Sequence, residues 1–318
     1  MKSAKNPAPS ASDAPEIHAD WLELRALESA DQNSSIQDLV QVIRRSGTTD
    51  ALPGVDDVES SLDRGSEKSQ GIAEDAFGEI EDRFSSCGGD NGTYPFVVSS
   101  QNIQLKITSP TAYLFLLLLS RFGKDAGPNS MDGAKLFEEV SIEAALSYFG
   151  GSASEIGTYH FGAPRRSPNP ADFVSALNEL CRNLGEGVAC RTERPNLADQ
   201  KDAKLDLAVW RPFSDRRYGK LIGFGQCATG NDWPGKLGEL QPGPFCEMWM
   251  QDVPSVHPVR LFFVPFRVDK RRWMDYSRRS GIVFDRCRIA FHTKIISDAV
   301  EKKCRKWIDF VQRKYIKK

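Results

Sequence analysis

A chain of 318 residues is long enough for one large domain or two modest ones around a real apolar core. Its 40 % apolar and 10 % aromatic content suits a globular protein, and a net charge of −1 excludes a partner chosen by bulk electrostatics. The charge is unevenly placed. Residues 1–90 hold 19 Asp and Glu against 8 Lys and Arg, whereas residues 251–318 hold 18 Lys and Arg against 7 Asp and Glu. The basic end therefore suits a polyanion, or the chain's own acidic front.

Residues 1–15 are rich in Pro, Ala and Ser and are expected to be disordered. Helical spacing of apolar residues follows over Ile17–Leu27, over Ser34–Arg45 (stripe Ile36, Leu39, Val40, Ile43) and over Gly71–Phe84. The run SSCGGDNGTYP then breaks the pattern. PFVVSS and IQLKIT predict a hairpin, SPTAYLFLLLLSRFG a buried helix and MDGAKLFEEVSIEAALSYFG an amphipathic one. GAPRRSPNPAD is a loop in which two prolines bracket Asn169, and Asp172–Leu184 is a helix closed by Gly185. Three strand-like runs come next (VACRTER, KLDLAVW, KLIGFGQC), then a short helical piece from Pro234, an apolar strand PVRLFFVPF, a strand IVFDRCRIAFHT and a basic helix over Ile296–Ile316. The expected class is α/β (α+β): a mixed sheet flanked by helices and preceded by an acidic helical region. The expected division is a tail over 1–15, an acidic helical region over 16–90, a helical and hairpin linker domain over 94–165 and a final domain over 166–318.

The seven cysteines are scattered without a CxxC pair, and the four histidines add no closely spaced ligand pair, so a zinc site is not expected. Reduced thiols, a start without an apolar signal and an apolar run (YLFLLLL) far short of the roughly 20 residues of a membrane span point to a cytoplasmic protein with no membrane partner. GFGQCATG lacks the GK[ST] of a phosphate loop. Cys227 as a nucleophile needs a partner among His160, His257 and His292 that sequence does not supply, so a structural thiol is expected.

The chemistry is expected between Lys204 and Lys236. Asp206 lies in a strand whose Leu205, Leu207 and Val209 point the other way, and it is either a Mg²⁺ ligand or a strand-end acid paired with Lys204 or a nearby Arg. Gln226 ends a glycine-rich strand (Gly223, Gly225), a composition that marks close approach of a ligand or another backbone. Glu179 sits in an otherwise apolar helix, as a solvated residue or an inward one. Helix-borne Glu179 with strand-borne Asp206 and Gln226 resembles the PD-(D/E)XK restriction-endonuclease-like superfamily in its Mrr-like variant, which carries Gln at the third motif position, over about residues 170–265.

The resemblance implies a restriction-endonuclease-like fold and a Mg²⁺- or Mn²⁺-dependent nuclease acting on DNA. Asp206, Glu179 (or Asp172) and Gln226 would form the metal site, with Gln226 positioning the attacking water. The family lysine stands two residues after the Gln, where this chain has Ala228; Lys236 is the relocated candidate that would stabilise the phosphate. GQCATGNDWPGKLGEL also resembles bacterial anti-phage defence proteins of this class. The alternative is the same fold without catalysis, binding nucleic acid or a protein. Arg271, Arg272, Arg278 and Arg279, interleaved with Trp273 and Tyr276, are the expected DNA contacts. The acidic front is expected to dock a protein partner or second copy, or to inhibit the basic face.

Overall fold

The computed structural model describes residues 7–47, 58–108, 110–151, 154–165, 168–193 and 197–316. The fold is mixed α/β, with one three-stranded and one five-stranded sheet. The acidic front is helical, as expected: α1 (Pro15–Glu28), α2 (Ile36–Gly47) and α3 (Val58–Ser86). Residues 10–13, expected to be disordered, instead form a turn. There the Ser10 N–H donates to Asp13 Oδ2 at 2.7 Å, and buried His18 bonds the Ser10 carbonyl at 2.8 Å. The hairpin prediction holds, with β2 (Phe96–Val98) antiparallel to β3 (Asn102–Leu105), and β1 (Asn33–Ser35) adds to its free edge.

Helix α4 (Thr111–Phe122) is buried from Thr111 through Leu119, so no polar face exists for solvent. Its cover comes from α5 (Gly133–Tyr148), α9 (Arg286–His292) and α10 (Asp298–Val311). Phe115 meets Trp307 of α10 edge to face, with centroids 5.1 Å apart. One continuous apolar core runs from Ala19 to Val311.

The larger sheet has the order β4 (Gly157–His160), β5 (Leu207–Arg211), β6 (Leu221–Cys227), β7 (Val259–Phe263), β8 (Ile282–Phe284); the first three strands are antiparallel and the last two parallel to β6. Leu207, Val209, Leu261 and Phe263 face α5, whereas Tyr159, Ala208, Trp210, Ile222 and Phe224 face α6 (Phe173–Leu184) and α7 (Pro242–Trp249). Gly223 and Gly225 do mark a close approach, but of side chains: a Cβ at Gly225 would lie 2.8 Å from Leu207, and one at Gly223 2.8 Å from Phe149.

Two predicted strands differ. VACRTER makes only an isolated bridge, Cys190 to Met250, among the described residues, because Gly187 and Val188 take positive φ and turn the chain. IVFDRCRIAFHT is strand only to Phe284. Asp285 then caps α9 by accepting from the Arg288 N–H at 3.0 Å. The strand that sequence reading passed over is β4, between α5 and α6. The helix that leads into the three antiparallel strands is thus α5, not α6.

The acidic front and basic end meet. Arg286 is fully buried and donates to both Asp20 oxygens, to the Pro265 carbonyl at 3.0 Å and to Ser120 Oγ at 2.8 Å. Buried Arg83 bonds Asp20 at 2.7 Å, Glu79 at 2.9 Å and Glu23 at 3.0 Å. Arg267 joins Glu79 and Asp285, and Lys270 joins Asp82. Buried carboxylates and guanidiniums are tolerated because each is paired and hydrogen-bonded.

Candidate active site

Asp206 stands just before β5, where Ala203 and Lys204 take φ of +49° and +71°. Two consecutive non-glycine residues in the left-handed region are costly and persist only where surrounding structure fixes them. The fixing bonds are visible. The Asp206 carbonyl accepts from both Phe161 and Gly162 N–H at 2.8 Å, and its own N–H donates to the Gly225 carbonyl at 2.9 Å. This doubled acceptance breaks the strand alternation. Leu205 packs toward α6, but Leu207 and the Asp206 carboxylate both lie on the α5 side.

There Asp206 Oδ2 accepts from the Cys227 N–H at 2.7 Å. Its neighbour is Glu138, three residues after Lys135 on α5. The helix is started by Asp132, whose carboxylate accepts from the Ala134 N–H. A Cβ at Gly162 would stand 2.5 Å from Glu138 Oε2 and 3.0 Å from Asp206 Oδ1, so the two carboxylates share one small volume over a residue that must lack a side chain. Burial, and next the Glu138 carboxylate, push the Asp206 carboxyl well above its ordinary range. Lys135 Nζ lies 2.9 Å from Glu138 Oε2, and His160 Nε2, at the end of β4, meets the same oxygen. Asn169 donates to the His160 carbonyl at 2.8 Å, tying down that strand end. Burial pushes the Cys227 thiol up, aided by Asp206 and Glu138, so it is inert rather than nucleophilic.

The residues expected to complete the site lie elsewhere. Gln226 alternates with Gly225 and Cys227, so it projects from the opposite face, on the side of Phe262 and Trp233. Its amide donates to Glu239 Oε2 at 2.8 Å, and Lys204 closes that group at 3.4 Å. Glu179 accepts from the Tyr159 hydroxyl at 2.9 Å, on the α6 side. Asp172 caps α6 through the Ser175 N–H. Lys236 pairs with Asp232 at 3.2 Å. Asp206 is therefore brought together with Glu138, Lys135 and His160, and by direct bonds with none of its expected partners.

The arginines are also engaged. Arg271 is held by the Asp269 carboxylate, Arg279 pairs with Asp275 at 3.8 Å and Arg272 reaches the Tyr276 hydroxyl. Tyr276 is buried against Trp233, and Trp273 is covered by Arg288 at 4.3 Å, so neither ring is offered for stacking on bases. Arg278 is exposed.

A cleft of about 270 Å³ opens beside Gly162, lined among others by Lys135, Glu139, His160, Gly162, Arg165 and Lys303. Its lining thus carries Lys135, Arg165 and Lys303 against the one acid Glu139, with the Glu138 and Asp206 carboxylates packed about Gly162. No cluster of three or more His, Cys, Asp or Glu side chains suited to a metal occurs among the described residues. Two carboxylates nevertheless fit Mg²⁺, a hard cation that takes one or two and keeps its remaining positions for water. Glu138 was missed because β4 is only four residues long and VACRTER was read as the first strand, which assigned the leading helix one element too late. The available signal was the adjacent pair Glu138 and Glu139 in a helix whose Leu136, Phe137, Val140 and Ala144 are buried.

No family model matches the chain, and no curated protein does. Among solved structures, the protein VC1899 from Vibrio cholerae aligns over 87 % of this chain and 82 % of its own length, at 11 % identity and a TM-score of 0.15, a likeness too slight to carry an argument. Among the described residues, no helix is long and apolar enough to cross a membrane.

Proposed function

We propose that the chain is a divalent-cation-dependent phosphodiesterase acting on DNA, with Glu138 and Asp206 as its acidic pair. The observation that carries this reading is the meeting of those two carboxylates over Gly162, a residue that also lines a cleft with Lys135, Arg165 and Lys303. The order α5, β4, α6, β5, β6, α7, β7 supports it: with α6 inserted between β4 and β5, it keeps the helix, strand, Asp-strand, Gln-strand, helix succession of the restriction-endonuclease-like resemblance. On this reading the helix acid is Glu138 rather than Glu179.

Mg²⁺ or Mn²⁺, when bound, supplies positive charge where the phosphate becomes more negative in the transition state. The chain's own residues do the rest. Glu138 and Asp206 would hold the cation, and the Cys227 N–H fixes the Asp206 carboxylate. Lys135 and His160, both at Glu138 Oε2 beside the cleft, would face the phosphate. Destruction of foreign DNA in a bacterial cell is the setting that the GQCATGNDWPGKLGEL resemblance suggests.

A second reading, a nuclease fold used only for binding, is favoured by Ala228 at the lysine position and by the existing neutralisation of Glu138 by Lys135 and His160. The deciding experiment is cleavage of labelled DNA with Mg²⁺ or Mn²⁺. Glu138→Gln and Asp206→Asn should each lower the rate more than about a hundredfold with the fold intact, and Glu179→Gln much less. Cleavage that survives both substitutions ends the site assignment; no cleavage by the parent protein under either metal favours the binding module.

A further inference from the structure

We infer that the cleft takes a single nucleic-acid strand, one backbone unit at a time, and that Lys303 of the C-terminal helix α10 is its mobile phosphate contact. This rests on the phosphodiesterase reading and deepens it by naming the substrate form. Size is the first argument. A volume of about 270 Å³ falls just below the range of about 300–1,000 Å³ typical of small-molecule pockets, so it admits one nucleotide-sized group. A duplex presents two backbones across a groove about 12 Å wide and cannot lower one of them to the floor at Gly162 without meeting the walls. A single strand can bend into it.

The charge arrangement is the second argument. Arg165 is a fixed cation: both terminal nitrogens donate to the Lys201 carbonyl at 2.6–2.7 Å, and the guanidinium lies over the Phe161 ring at 4.7 Å. Its Nε is buried without a partner among the described residues, so the group is positioned by the protein at some cost. Lys303 differs. It is half-exposed and, among the described residues, tethered to Glu139, at 2.7 Å, on the helix turn that carries Glu138. Exposed pairs of this kind are weak and screened by salt, so an incoming phosphate can displace Glu139 from Lys303. The Lys303–Glu139 pair then acts as a closed clasp over the mouth, opened by a polyanion.

The test uses the full chain in EDTA, so that binding is read apart from cleavage, with a labelled 12-residue DNA strand and the matching duplex in fluorescence anisotropy. The single strand should bind at least tenfold more tightly than the duplex. Lys303→Gln should weaken single-strand binding at least threefold and lower the slope of log affinity against log salt by about 0.7, the value for one phosphate contact on a single strand. Glu139→Gln should strengthen it, because it removes the competing anion. Equal or tighter duplex binding, or unchanged single-strand affinity in both variants, overturns the inference. The two readings fail separately. A duplex that is cut while the single strand is neither bound nor cut leaves the phosphodiesterase standing and removes the strand assignment. Single-strand binding that responds to both variants, without cleavage under Mg²⁺ or Mn²⁺, does the reverse.

Discussion

Asp20→Asn tests whether the tie between the two ends of the chain is energetic or incidental. Asp20 serves two fully buried guanidiniums, Arg83 and Arg286, and keeps 28 % of its own side chain exposed. Burial pushes its carboxyl up, but Arg286 and Arg83 outweigh that and hold it at about 2. A fall from 3.8 to about 2 corresponds to roughly 2 kcal/mol of preference for the ionised form in the fold. Removing one partner of a buried pair costs about 3–5 kcal/mol in total, because the cations left behind remain desolvated. The sign follows from the depressed value. The contribution is complete above the unfolded-state value near 3.9 and is lost as pH falls toward 2. Urea unfolding followed by tryptophan fluorescence at pH 7, 4 and 2.5 should give a parent-minus-variant difference of about 3–5 kcal/mol at pH 7, shrinking by roughly 2 kcal/mol at pH 2.5. A difference below about 1 kcal/mol at pH 7, or one that stays constant across that range, refutes the reasoning.

Deleting residues 1–90 was expected from sequence to uncover a DNA-binding face; the structure instead predicts an insoluble product, because Arg286 and Arg267 lose carboxylates and α9 loses its α3 cover. A truncated protein with a cooperative melt would contradict that. Gly162→Ala places a methyl between Glu138 and Asp206, so DNA cleavage should fall at least tenfold while the melting curve moves by only about 1–3 kcal/mol; full activity would remove the two carboxylates from the site. All seven thiols are free, burial pushes Cys181, Cys246 and Cys304 up to about 12, and Cys227 is raised as well, so a disulfide-exchange reagent at pH 8 should titrate few thiols in the native protein and all seven in urea. Asp132→Ala should cost about 1 kcal/mol by uncapping α5, with a matching small loss of activity.

Helical periodicity was the reliable signal in this sequence. The stripe Ile36, Leu39, Val40 and Ile43 of α2 is buried as its spacing selected, because a helix reports its buried face over three or four turns. The short strands carried much less information. Four residues of β4 hold too little alternation to register, whereas the apolar start of VACRTER reads as strand but is turned by the positive φ of Gly187 and Val188. The position of Asp206 was readable; the direction of its side chain was not. That direction depends on one carbonyl accepting from two N–H groups of a strand 45 residues earlier, and a period-2 rule has no means of anticipating it. Charge segregation hinted that the ends meet, but it could not separate buried Arg286 from exposed Arg278, since both look alike in composition.

The shared core also constrains when the protein can fold as it is made. Helix α4 is buried through Leu119, yet part of its cover is Trp307 and other residues of α10, which follow it by more than 170 residues. Asp20 and Glu23 likewise emerge more than 260 residues before Arg286 reaches them. During synthesis at about 5–20 residues per second, the front half therefore spends roughly ten seconds or more with its most apolar helix uncovered. Such long-range closure is slow and leaves apolar surface open to aggregation until α9 and α10 arrive. A polypeptide ending before Asp298 would lack both the Trp307 cover of α4 and Lys303 at the cleft.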